Sequence, residues 1–191
     1  MSAKTKDEII ASALPMIRKK SYSAFSYDDI SKELEISKAA IHYHFEKKED
    51  LGIAICEKIR EGFTLCYENA RHEIENNNGH PWSYIESVMS YLAADEICPV
   101  SSFQSDFENL PPRLKDEVKQ LSKIQIDQLD LLIKEFAPNV KDNTVAITTN
   151  LSIKGALQYR RVLGETFFEK ALKSIKEQFY FALNDGKEQR N

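Results

Sequence analysis

The sequence is poor in the residues that punctuate sheets and turns. Its 191 residues contain six glycines and six prolines, β-branched runs are few, and amphipathic stretches are long, which together point to an all-α chain. Cysteine is scarce. Cys56, Cys66 and Cys98 are odd in number and irregular in spacing, so neither a disulfide framework nor a zinc ribbon is indicated, and reduced thiols are expected. No run approaches the roughly eighteen apolar residues of a membrane span. The segment "MSAKTKDEII" lacks the apolar centre of a signal peptide, so a cytoplasmic location is the expectation. Nor is there a large excess of positive charge: the net charge of -4 excludes a protein that binds nucleic acid over its whole surface. With 42% hydrophobic and 29% charged residues, the chain is an ordinary globular sequence rather than a disordered or fibrous one.

What is present is a succession of helix signals. Thr5 and Glu8 form a capping-box pattern ahead of Ile9, Ile10, Ala13 and Ile17, a stripe ending near Lys20, with Pro15 expected to kink or split it. Ser26 and Asp29 open a short second helix with Ile30 and Leu34 on one face, and Ser37 opens a third with Ile41 and Phe45. A longer helix runs from Lys48 to "NNNG". Beyond it come "PWSYIESVMSYLAADE", the short piece "SFQSDFEN", the helix after "LPPRLKDEV", and two last helices over about 142–163 and 165–184. Basic and acidic residues balance within residues 1–50, leaving the negative surplus to the rest. Two regions with different partners are implied, with a boundary expected between residues 50 and 51.

The stretch "ISKAAIHYHFEKKEDL" admits three readings. Metal binding suits it poorly, because helical residues two apart point about 200° from one another and His42 and His44 cannot converge on one ion. A catalytic reading lacks a nucleophile or carboxylate oriented toward either histidine. The third is geometric. With Ile41 and Phe45 buried, Ala39, Ala40, His42 and Tyr43 face away from the core, and the two small alanines let the helix N-terminus enter a major groove about 12 Å wide. Lys38 and Lys48 then flank the groove within reach of phosphates.

Residues 21–51, "SYSAFSYDDISKELEISKAAIHYHFEKKEDL", resemble the helix-turn-helix signature of the TetR family of transcriptional regulators, with Ser26, Asp29, Ile30, Ser37, Lys38, Ile41, His44, Phe45, Lys48, Glu49 and Leu51 at the patterned positions. The resemblance implies an N-terminal three-helix DNA-binding domain over 1–50 and a helical ligand-binding and dimerisation domain over 51–191. It implies DNA contacts from Lys38, Ala39, Ala40, His42, Tyr43 and His44, with Tyr27 and Lys48 at the phosphates. Three positions depart from the usual pattern. Glu35 stands where Gly is customary in the turn, costing roughly 1 to 2 kcal/mol if that backbone is left-handed; Phe25 replaces Thr, and His42 replaces Tyr.

By the same resemblance the last two helices pair with those of a second copy, and a homodimer would read a palindromic operator in double-stranded DNA. Gly155 and Ala156 in "SIKGALQYRRVLG" suit close helix approach. The segment 97–118 resembles a stretch in which some related regulators carry a cysteine that senses electrophiles or oxidants, making Cys98 the candidate sensor, although the adjacent Asp95 and Glu96 work against a thiolate. The alternative trigger is a small-molecule inducer in a cavity lined by Trp82, Tyr91, Phe103, Phe107 and Tyr159. No cofactor, metal or membrane partner is expected. Two rivals stand beside this reading: a thiol-dependent enzyme using Cys98 with His80, and a helical interaction module without DNA binding. His72 and His80 are otherwise expected at the surface.

Overall fold

A computed structural model describes residues 5–188, with side chains through Asn184, and among these residues there are helices and no strands. The helices are α1 (Lys6–Lys20), α2 (Tyr27–Leu34), α3 (Lys38–His44), α4 (Lys48–Glu75), α5 (Trp82–Ser90), α6 (Pro99–Ser105), α7 (Pro112–Phe136), α8 (Thr144–Leu163) and α9 (Glu165–Glu188), with a 3₁₀ turn over Phe107–Asn109 between α6 and α7. The chain divides into two units, one comprising residues 1–60 and 96–121, the other 61–95 and 122–191. Residue 50, the expected boundary, lies inside α4.

In the first unit the local signals act as read. Thr5 Oγ1 accepts the Glu8 N–H and the Glu8 carboxylate accepts the Thr5 N–H at 2.7 Å, completing the capping box of α1. Pro15 does not divide this helix, whose run from Lys6 to Lys20 is continuous. Its stripe, Ile9, Ile10, Ala13 and Ile17, is buried with Tyr22, Phe25, Ile30, Ile41, Phe45, Leu51, Ile55, Val100, Phe103, Leu114 and Val118. Leu34, expected in the core, is only half-buried. Packing around Gly52 is tight: a Cβ there would stand 2.8 Å from Leu114 and 2.9 Å from Tyr22, so α4 carries no side chain where α7 and the loop after α1 approach it.

The turn between α2 and α3 stores strain. Glu35 adopts φ 53°, ψ 43°, a left-handed conformation in which its Cβ crowds the backbone. It persists because it ends α2 in hydrogen-bonded form: the Glu35 N–H reaches the Ser31 carbonyl, the Ile36 N–H reaches the same carbonyl at 3.1 Å, and the Ser31 hydroxyl donates to the Ile36 carbonyl.

The second unit is built on long amphipathic helices. Phe63, Cys66, Ala70 and Ile74 of α4 are buried, as are Trp82, Tyr84 and Ile85 of α5, Leu129, Leu132 and Ile133 of α7, Ala146, Ile153 and Leu157 of α8, and Phe168, Phe179 and Leu183 of α9. The fifth helix stops at Ser90, shorter than its sequence pattern suggested, and α9 continues past 184 to Glu188. A single residue, Gly164, joins α8 to α9 at φ 82°, a value that favours glycine, and its N–H closes α8 on the Arg160 carbonyl. Arg160 itself is buried, donating to the Ala93 carbonyl at 2.6 Å with its guanidinium over the Phe168 ring. His80, expected at the surface, is half-buried against Phe136 (4.4 Å) and Tyr180 (4.2 Å). Its Nδ1 accepts the Trp82 N–H, so the neutral ring carries its proton on Nε2. Burial, then the Lys176 ammonium, lower its pKa to about 4.

Glu35→Gly should raise the stability of the first unit by roughly 1 kcal/mol, the relief of left-handed strain outweighing the added freedom of the unfolded chain; a lower denaturation midpoint would show that the turn is not held as described. His80 has a folded pKa below its unfolded value of 6.5. The unfolded chain therefore takes up a proton that the folded one refuses, and stability is lost as pH falls from about 6.5 to about 4. Allowing for its half-exposed ring, this loss should be on the order of 1 kcal/mol. The difference in melting temperature between wild type and His80→Phe, followed from pH 7.5 to 4.5, should change across that window in favour of the variant.

Candidate nucleic-acid interface

The interface is built from caps outward. Ser26 starts α2: its Oγ accepts the Asp29 N–H, while the Asp29 carboxylate accepts the Ser26 N–H at 2.8 Å and the Ser26 hydroxyl at 2.7 Å. Those hydrogen bonds hold the Asp29 carboxyl below its ordinary range. Ser37 starts α3 in the same way, its Oγ accepting the Ala40 N–H at 3.2 Å. Ile30 of α2, Ile41 of α3 and Phe45 just after it are all buried, which fixes the outward face of α3.

That outward face carries Lys38, Ala39, Ala40, His42 and Tyr43, all exposed, with His44 half-buried. Tyr43 is 86% exposed, an unusual position for a large aromatic ring, and it meets the His44 ring edge to face at 5.2 Å. His42 Nδ1 lies 3.0 Å from the Glu46 carbonyl. Because a carbonyl only accepts, Nδ1 carries the proton in this bond and the other ring nitrogen, Nε2, is left as an acceptor in the neutral ring. Lys38 pairs with Asp28 at 2.7 Å, both side chains being about half exposed, and such a surface pair is readily exchanged for a phosphate.

Two residues expected at phosphates are committed elsewhere. The Tyr27 hydroxyl donates its one proton to the Phe45 carbonyl at 3.0 Å, its ring lies 4.9 Å from that of His42, and burial pushes its pKa up to about 12. A phosphate oxygen accepts only, so Tyr27 has no second proton to give it. Lys48 turns inward, donating to the Phe25 carbonyl at 2.6 Å and the Ser23 carbonyl at 3.4 Å, with its ammonium over the Tyr22 and Phe25 rings. Burial lowers its pKa. Both side chains brace the helix-turn-helix instead of extending from it. Phe25, one of the departures from the family pattern, supplies the carbonyl and a ring face for this brace.

What holds this module against residues 96–121 has no local signature. Arg18 pairs with the buried Glu96 at 3.5 Å, the Ile97 N–H donates to the Arg18 carbonyl, Ser23 is bonded to Asp106, Arg113 meets Asp50 at 3.4 Å, and Arg60 is bonded to Glu117. Each joins residues more than fifty positions apart, beyond any spacing rule.

The candidate sensor residues are distributed over both units. Cys98 is a 5% exposed thiol just before α6, without the solvent access a sensor needs. Phe103 is a core residue of the first unit, packed 5.3 Å from Tyr22, and Phe107 lies in the 3₁₀ turn near Lys115. Trp82 is buried in the second unit against Phe179, whereas Tyr91 and Tyr159 there are exposed. Of the five aromatic residues proposed to line a ligand cavity, Phe103 and Phe107 belong to the first unit and Trp82, Tyr91 and Tyr159 to the second.

Known proteins of similar sequence and structure match this arrangement. The model for bacterial regulatory proteins of the tetR family matches residues 9–55. The biofilm operon icaADBC HTH-type negative transcriptional regulator IcaR of Staphylococcus epidermidis is 26% identical over 187 residues, covering 94% of this chain and 97% of that one. Its counterpart in Staphylococcus aureus is 39% identical over 87 residues, which span 46% of this chain and 43% of that protein. Among solved structures, a TetR transcriptional regulator from Legionella pneumophila superposes with a TM-score of 0.73 at 28% identity, covering 93% of this chain and 98% of its own. A TetR-family regulator from Agrobacterium tumefaciens, at 23% identity, shares the fold with a TM-score of 0.76 over 91% of this chain and 96% of its own. Residues 9–55 thus match the DNA-binding domain of the tetR family, and over more than nine-tenths of its length the chain is similar to regulators of that family.

Proposed function

We propose that the protein is a repressor that binds a palindromic operator as a homodimer and is released by a small molecule. The observation that carries DNA reading is α3: an N-capped helix whose first turn is Lys38, Ala39 and Ala40, followed by an exposed His42 and Tyr43. Small residues at the leading end permit close approach to base edges, and the projecting Tyr43 gives apolar contact with them. Lys38 and the backbone N–H groups at the start of α3 supply phosphate contacts. Repression is supported by the IcaR relative of Staphylococcus epidermidis, which is named a negative transcriptional regulator. Regulators of this family are not enzymes, and neither is this chain.

The dimer reading is supported by the second unit. Leu151, Gly155, Tyr159 and Val162 recur at intervals of four, four and three along α8, a single helical stripe, and all are exposed. Val162 is 81% exposed, Phe181 of α9 is exposed too, and the position above Gly155 is open, so another helix can approach closely there. A second copy laid on this face by a two-fold axis would present two copies of α3 to two half-sites. Of the two release signals, the burial of Cys98 favours a non-covalent small molecule over a thiol-reactive one.

Selection of bound fragments from random and genomic DNA should enrich a palindrome. Tyr43→Ala should weaken binding to that palindrome at least tenfold and binding to random DNA far less, and equal losses on both would remove Tyr43 from base reading. Binding should weaken steeply with added salt. Val162→Glu should shift the protein from dimer to monomer in sedimentation and weaken operator binding with it; an unchanged dimer would place the interface elsewhere.

A further inference from the structure

The loop between α1 and α2, residues 21–26, is gripped from two sides, and one grip comes from 83 positions away in sequence. The Ser23 N–H donates to Asp106 Oδ2 at 2.7 Å. From the other side Lys48 Nζ takes the Ser23 carbonyl at 3.4 Å and the Phe25 carbonyl at 2.6 Å, so Ser23 is held at both its N–H and its C=O. Asp106 also acts electrostatically on that ammonium. Beneath the loop, the Tyr22 ring packs on Phe103, three residues before Asp106. The loop begins at Ser21 with φ 99° and ends at Ser26, the cap of α2. With so few residues between those fixed points, the placement of Ser23 sets where α2 begins, and α3 follows through Ile30, Ile41 and Phe45.

The geometry points to Asp106 as a positioning residue for operator binding: through Ser23 it fixes the loop that sets the helix-turn-helix. This role rests on the DNA-binding reading above. Its electrostatic sign separates it from that of an ordinary surface acid. Removing a negative charge from a protein that binds a polyanion should by itself tighten binding. A positioning role demands the opposite, weaker operator binding despite the favourable change in charge.

The test compares full-length wild type, Asp106→Ala and Asp106→Asn on the selected operator and on random DNA over a range of salt. Asp106→Ala should weaken operator binding roughly five- to tenfold, with little loss on random DNA and an unchanged salt slope, because no phosphate contact is removed. Asp106→Asn keeps an oxygen to accept the Ser23 N–H and should recover most of the loss, although it lacks the charge as fully as alanine does. Amide exchange at Ser23 in the DNA-free protein should speed up in the alanine variant and not in the asparagine one. Operator binding by Asp106→Ala as tight as wild type, or tighter, overturns this role alone. A wild type that selects no DNA overturns the DNA reading and this role with it. If Asp106→Ala does not fold, Asp106→Glu decides, since displacing the carboxylate by one methylene should weaken operator binding, and wild-type affinity there refutes positioning.

Discussion

Helices of eight and seven residues do not persist in water on their own, because the cost of nucleating each is not recovered over two turns. The second and third helices exist because Ile30, Ile41 and Phe45 are withdrawn from solvent together, and every other property of the DNA face depends on that burial. The caps of Ser26 and Ser37 choose where the helices start, and the burial of Ile30, Ile41 and Phe45 sets which faces turn inward. Lys48 and Tyr27 then complete the arrangement from outside the core. One ammonium over two rings holds two carbonyls of the preceding loop, and one phenol joins the start of the second helix to the end of the third. A cation and a hydroxyl that the family resemblance places at phosphates are thus used here to brace the helix-turn-helix.

The parts of the fold legible in the sequence were those governed by local rules. Thr5 with Glu8, Ser26 with Asp29, and Ser37 announce helix starts because their hydrogen bonds span three residues, and all three starts occur as read. Glu35 was legible as a conditional: a residue with a Cβ at a turn position that prefers glycine implies strain if the backbone is left-handed, and it is. The inward turn of Lys48 was not legible, since a lysine after a recognition helix reads the same whether its stem points to solvent or to Phe25. His80 shows the converse failure. Its polar neighbourhood "NNNGH" suggests exposure, and only the arrival of Phe136 and Tyr180 from distant helices covers it. The aromatic set named as a candidate cavity shows the limit of residue type as evidence, because ring chemistry is identical in a core, a pocket and an interface.

The second unit keeps a charge where an apolar residue would pack more cheaply. Arg160 is buried, spends its guanidinium on the Ala93 carbonyl and the face of Phe168, and sits four residues before the glycine that turns the eighth helix into the ninth. Its Nη1 also faces the Glu165 carboxylate at 4.0 Å, so this buried cation is held by partners in fixed positions. The helical hairpin in which it sits leaves its outer stripe, Leu151 to Val162, uncovered.

His42 illustrates how a backbone contact edits the chemistry a recognition helix offers. Its Nδ1 proton is given to the Glu46 carbonyl, so the neutral ring has only a lone pair left on Nε2. In the major groove the complementary amino hydrogens belong to adenine and cytosine, while guanine presents acceptors alone on that edge. The tyrosine customary at this position can give a proton as well as take one. On the DNA-reading role proposed above, a histidine whose donor is already engaged would match only the bases that carry an amino group on that edge.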